Sequence, residues 1–241
     1  MDSSQNPSHR LDINTFEMIF VVALITLHDF LLSDSLSLPL ALQHSTLAIA
    51  RYWDKIVSGA EFMVPLIIFT AMIVLWLMGR NEWVHKIAIV FLSWVTLRLA
   101  AKVVLVLLII ISHPLKQAPG LLKDTIVMWF VNFILFGVWY WIVDGGGPRE
   151  RRSGAPKRFD FAFPQRTVTF AGWENWQPRF WDYLFLGFCG STQFGLGDTP
   201  VLSLRGKFLL MIQATLSVAI IVFIASIAIG HTTALPLPVG P

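Results

Sequence analysis

The chain has 241 residues, of which 55% are hydrophobic and only 14% charged. A soluble domain carries about 25% charged residues, so this composition excludes the ordinary soluble class and points to a membrane. The net charge is +3, but half of the Lys and Arg residues lie between Asp144 and Lys207, beside apolar segments. Anionic lipid headgroups are the fitting partner there, and no nucleic acid is expected.

Residues 1–14 form a polar N-terminal tail. It carries one Arg and two Asp, and no small-residue cleavage site follows the first apolar run, so no cleavable signal peptide is expected. Residues 15–143 predict a four-helix transmembrane region. Its spans run from Thr15 to Leu32, from Phe62 to Met78 (ending at Gly79-Arg80), from Ile87 to Ile111 and from Thr125 to Val143. Between the second and third, Asn81 to Lys86 predicts a tight turn. Ser112-His113-Pro114 stops the third span, and Asp144 to Pro148 stops the fourth with glycine available for a left-handed C-cap. Residues 144–180 read as a basic, aromatic-rich linker without helical or strand period, suited to the lipid interface. Residues 181–229 hold a short apolar segment, Tyr183 to Cys189, then a small-residue stretch and a last span from Phe208 to Ile229. Crossing a bilayer takes about 20 apolar residues, so the short segment is a half-helix. Residues 230–241 form a proline-rich C-terminal tail. The expected fold is therefore all-α, with about five transmembrane helices and a re-entrant half-helix before the last.

Arg98 and Lys102 lie four residues apart and so share one helical face within the third span. Charges at membrane depth face the bundle interior or water. An ion-pathway element is one reading; a structural pairing with Asp29 or Glu61 is the other, favoured because two charges fall short of a voltage sensor. His28-Asp29 reads either as a proton relay or as an interfacial end to the first span. Asn132 fits an interhelical hydrogen bond. Seven tryptophans, Trp76, Trp83, Trp139, Trp141, Trp173, Trp176 and Trp181, fall near predicted span ends as an aromatic belt, whereas Trp94 and Trp129 are placed in the bundle. The single cysteine, Cys189, excludes an internal disulfide and a CxxC site and reads as an apolar filler. GxSxG, HExxH and P-loop motifs are absent, as is a clustered His/Cys/Asp set, so no enzyme, cofactor or metal site is expected.

The small-residue stretch reads Gln193-Phe194-Gly195-Leu196-Gly197-Asp198, followed by Thr199-Pro200-Val201 and Arg205-Gly206-Lys207. It resembles the selectivity filter and outer turn of potassium-channel pore domains, whose filters read Thr-Val-Gly-Tyr-Gly-Asp or close variants. Gly195, Gly197 and Asp198 match that pattern. Leu196 stands at the aromatic position, Phe194 replaces Val or Ile, and Gln193 replaces the threonine. The likeness covers roughly residues 181–229. Upstream, Trp139 to Arg152 (WYWIVDGGGPRERR) resembles an uncharacterised family of bacterial polytopic membrane proteins.

The resemblance implies a pore-loop cation channel in the bacterial inner membrane. It implies a homotetramer conducting a monovalent cation, because one filter strand cannot encircle an ion. The carbonyls of Gln193 to Gly197 would coordinate the ion. Asp198 would tie the loop to the half-helix through Trp181 or Tyr183, and Ser191 and Thr192 would cap that half-helix. The alternatives are a non-conducting structural or accessory protein with the same loop, and a small proton-coupled transporter using His28, Asp29, Arg98 and Lys102. Orientation divides these readings. A potassium-type loop enters from outside, which leaves twelve Lys and Arg outside against four inside, whereas the positive-inside rule favours the reverse.

Overall fold

The computed structural model describes residues 63–64, 66–112, 121–152, 158–168, 171–172, 174, 176–192 and 195–232. Among these, the chain is helical, and its one strand-like feature is an isolated antiparallel bridge between Phe161 and Val201. The first predicted span, with His28 and Asp29, the N-terminal tail and residues 233–241 lie outside the described residues, as do Gln193 and Phe194, whereas residues 230–232 of the predicted C-terminal tail continue the last helix.

Helix α1 (Leu66–Leu77) is apolar but short. It ends where expected: Gly79, at φ 70°, and Arg80 donate backbone hydrogen bonds to the carbonyls of Trp76 and Leu75, both at 2.9 Å. This is the paired closure of a Schellman motif. Helix α2 (Asn81–Ser112) begins immediately afterwards. The predicted turn from Asn81 to Lys86 is therefore its first turns. Gly79 closes α1, and the polar run that suggests a loop is the start of a helix carrying Glu82 in its first turn.

Helix α3 (Leu121–Val143) forms the middle of the molecule and packs along both of the later long elements, α6 (Phe180–Thr192) and α7 (Leu204–Thr232), and less extensively on α2. Among the described residues, three stretches are long and apolar enough to cross a membrane: Glu82–Leu108, Leu121–Gly146 and Leu204–Gly230. Their buried faces and that of α6 make one core, with Phe91, Leu92, Leu135, Phe136, Leu186 and Ile220 fully enclosed. Their outer faces present Leu97, Val104, Phe208, Met211 and Val222, as expected for helices apolar on all sides.

After α3 a 3-10 turn (Asp144–Gly146) breaks the helix, with Gly145 at φ 60°. Two short helices follow, α4 (Pro148–Arg152) and α5 (Pro164–Thr167). The linker is more than the interfacial loop its composition predicts. Phe161 and Phe163 are 0% and 4% exposed and stack edge-on against Tyr183 at 6.4 and 5.3 Å between ring centroids. Trp141, expected in the aromatic belt, is likewise buried, packed on Phe180. The linker thus folds back as a lid over the end of α3.

Helix α6 starts beside that end and runs antiparallel to α3. The Tyr183 hydroxyl donates to Asp144 Oδ2 at 2.6 Å, and at the far end Trp129 Nε1 donates to the Ser191 carbonyl at 3.3 Å. With 13 residues it spans about 20 Å, short of the ~30 Å hydrocarbon thickness. The chain then comes back to the lid: Ala162 N donates to Pro200 O at 3.0 Å and Leu202 N to Asp160 O at 2.8 Å. From there α7 runs the length of α3 once more.

Candidate functional site

Three polar features surround α6. The first is a buried knot at the end of α3. Asp144 and Asp160 are both fully enclosed. Asp144 Oδ1 accepts from the backbone N–H of Asp160 at 2.7 Å and of Phe161 at 3.2 Å, while Oδ2 accepts from Tyr183 and lies 3.6 Å from Arg166 Nη1. Asp160 in turn accepts from Gly145 N at 3.2 Å and takes a two-pronged fork from Arg205, Nε at 2.6 Å and Nη2 at 2.7 Å. Such charge-assisted, bidentate bonds are the strong class of polar contact. Arg151 donates to the carbonyls of Trp141 and Asp144, meeting acceptors that the end of α3 leaves open. Its guanidinium also lies 5.0 Å over the Tyr183 ring. Burial pushes the Tyr183 phenol well above its usual pKa, with Asp144 adding to the shift and Arg151 opposing it. The hydroxyl therefore stays a donor.

The residues expected to support the loop stand as follows. Tyr183 is engaged with Asp144, and Trp181 is 73% exposed. Ser191 and Thr192 turn their hydroxyls back onto the last turn of α6, Ser191 to the Phe188 carbonyl at 2.8 Å, Thr192 to those of Phe188 and Cys189 at 3.2 and 3.1 Å. The knot itself escapes sequence reasoning. Asp144 reads there as part of a helix stop and Asp160 as one residue of an aperiodic linker.

The second feature is the bed on which α6 lies. A Cβ at Gly187 would sit 2.4 Å from the Phe133 carbonyl oxygen and 2.8 Å from Gly137 N, and one at Gly137 would sit 2.9 Å from the Leu184 Cα. Glycine at both positions lets the two backbones touch, as small residues do at helix crossings in membranes. Gln213, fully buried on α7, donates from Nε2 to the Gly187 carbonyl at 2.6 Å and accepts at Oε1 from the Tyr140 hydroxyl. One turn on, Asn132 Nδ2 donates to Ser217 Oγ at 2.6 Å, which donates to the Gln213 carbonyl at 2.8 Å. The interhelical role expected of Asn132 is thus observed, and Trp129 packs inside the bundle on Phe133 and Phe188.

The third is the loop after α6. Gly195 and Gly197 stand at φ 76° and 60°, a region side-chain-bearing residues rarely enter. Nothing lies within 4 Å of where a Cβ would sit on either. Leu196 turns its side chain inward, 8% exposed, and its carbonyl accepts from Thr199 N at 3.4 Å, closing a turn across Gly197 and Asp198. Asp198 is exposed.

Elsewhere, Arg98 and Lys102 are half-buried on α2, with the Arg98 guanidinium 4.6 Å over the Trp94 ring. Asp29 and Glu61, their expected partners, lie outside the described residues. Among the described residues no group of three or more His, Cys, Asp or Glu is placed to hold a metal ion.

No family model, curated protein or solved structure matches the chain. What the described residues define is an all-helical arrangement with three helices long and apolar enough to cross a membrane, compatible with an integral membrane protein. Buried polar contacts brace the lid, α6 and the start of α7 against one another.

Proposed function

We propose that the chain is a subunit of a pore-loop cation channel of potassium type in the bacterial inner membrane, working as a homotetramer. The observation that carries this reading is the placement of residues 180–192 and 195–204. Helix α6 goes in beside the end of α3, stops short of a bilayer's thickness, and the chain returns to the same lid before α7 crosses. Irregular backbone at membrane depth is tolerated only against protein or water. The open space around Gly195 and Gly197 therefore calls for neighbouring copies or an aqueous path. A filter also needs backbone angles closed to most residues, which the positive φ of both glycines supplies.

A second reading, a non-conducting plug, draws on Leu196. Its carbonyl is directed at Thr199 N instead of standing free for an ion.

Purified protein in liposomes separates the two. The wild type is expected to pass K⁺ down a gradient, and the Gly195→Ala, Gly197→Ala double substitution to abolish flux while the oligomer's elution is unchanged. Liposomes no leakier than empty ones, or a double variant that conducts like wild type, would overturn the channel in favour of the plug.

A further inference from the structure

Gln213 meets two helices at once. Its amide donates to a main-chain carbonyl of α6 and accepts from a hydroxyl of α3, and its own carbonyl is held by Ser217. Gly190, one turn beyond Gly187 on α6, faces the same amide; a Cβ there would come within 2.5 Å of Gln213 Oε1. The amide therefore fits between the two glycines of α6 as a peg fits a notch.

Apolar packing holds helices together but is tolerant of small slides along their axes. A side-chain amide with one donor and one acceptor, each matched to a fixed partner, is not. Hydrogen bonds of this kind within membranes average only about 0.6 kcal/mol, too little to account for the fold. They are ample, however, to choose between neighbouring registers of a short helix. A slip of one residue moves α6 by about 1.5 Å and turns it by about 100°. That displacement is carried into the loop that follows α6.

We infer that Gln213 is a positioning residue that fixes the register of α6 and, through it, the depth and facing of residues 195–199. The inference rests on the reading of that loop as the conducting element, but it can be measured apart from conduction. The chain's single cysteine, Cys189, lies on α6 between Gly187 and Gly190 and is half-buried, so it reports the setting of α6 with no label site introduced.

The experiment compares the rate of maleimide modification of Cys189 in proteoliposomes of the wild type, Gln213→Leu and Gln213→Asn, alongside the K⁺/Na⁺ flux ratio. Leucine keeps the bulk without the bonds; asparagine keeps the amide but falls one methylene short. Both are expected to change the labelling rate on the order of fivefold, the population shift that two such bonds control. Both are also expected to lower the K⁺/Na⁺ ratio while the helical circular dichroism and oligomer size stay as in wild type. Should the leucine variant fail to fold, the asparagine variant carries the test. Labelling that changes in vesicles that do not conduct even as wild type supports the register claim and overturns only the channel. Conduction with unchanged labelling and an unchanged ion ratio in either variant overturns the register claim alone.

Discussion

Asp144 is the residue with most to lose. Two backbone N–H groups, the Tyr183 hydroxyl and the Arg166 guanidinium converge on its carboxylate, and an orphaned buried partner costs about 1–3 kcal/mol. Asp144→Ala is therefore expected to destabilise by roughly 3 kcal/mol or more, read as a fall in the thermal unfolding midpoint in detergent. Arg205→Ala is expected to cost less, about 1–3 kcal/mol. The arginine's side chain is 53% exposed, so its desolvation is partial, and Asp160 retains the Gly145 N–H. Equal losses from the two substitutions would contradict the view that the knot is organised around Asp144. None of this is visible along the sequence. Tyr183 meets Asp144 across 39 positions, and what announces Asp144 locally is only the glycine run after it, which correctly marks where α3 stops.

At the scale of elements, apolar runs mark α1, α2, α3, α6 and α7, because a long apolar segment satisfies its backbone most readily as a helix, whereas the polar α4 and α5 leave no such mark. The ends were less legible. Helix α2 extends through polar residues that resemble a turn, since Gly79 alone suffices to close α1. The lid is illegible for a related reason: Phe161 and Phe163 point inward with a period of two, but for too few residues to stand out as a strand. Helix α6 was legible from its shortness, whereas its bed was not, because Gly187 looks like any glycine until Phe133 is placed against it. That contact gives a sharp expectation. Gly187→Ala puts a Cβ against backbone atoms of α3 at 2.4 and 2.8 Å, which cannot swing aside, so α6 must lift. Its loss of stability is expected to exceed that of Gly195→Ala, where space is open and only the left-handed conformation costs, about 1–2 kcal/mol. Thermal melts of the two variants, with Cys189 labelling as the local probe, check the order. If Gly195→Ala proves the more damaging to stability, close packing of α6 on α3 is not what seats it.

For the whole molecule the open question is which way it faces, and the fold bears on the answer. Helices α3 and α7 run antiparallel, with the lid at the end of one and the start of the other. The last described residue, Thr232, is therefore at the opposite end from the lid. A potassium-type loop requires the lid outside and the C-terminus inside, against the weight of the nine Lys and Arg between Asp144 and Lys207. Two features lessen that weight. Because α6 is too short to count as a span, the connection from α3 to α7 is a single segment of 60 residues, 144–203, at the length where charge bias loses its hold on topology. In the folded state Arg151, Arg166 and Arg205 are also turned inward onto Asp144, Asp160 and main-chain carbonyls. The expected outcome is a C-terminus inside, assayed by a pair of C-terminal reporter fusions, one active only in the cytoplasm and the other only beyond the inner membrane. An outside C-terminus would set the lid against the cytoplasmic leaflet, where its exposed arginines meet anionic headgroups. The 193–199 loop would then open from the wrong side for a potassium filter, and the plug would be the better account of the same glycines.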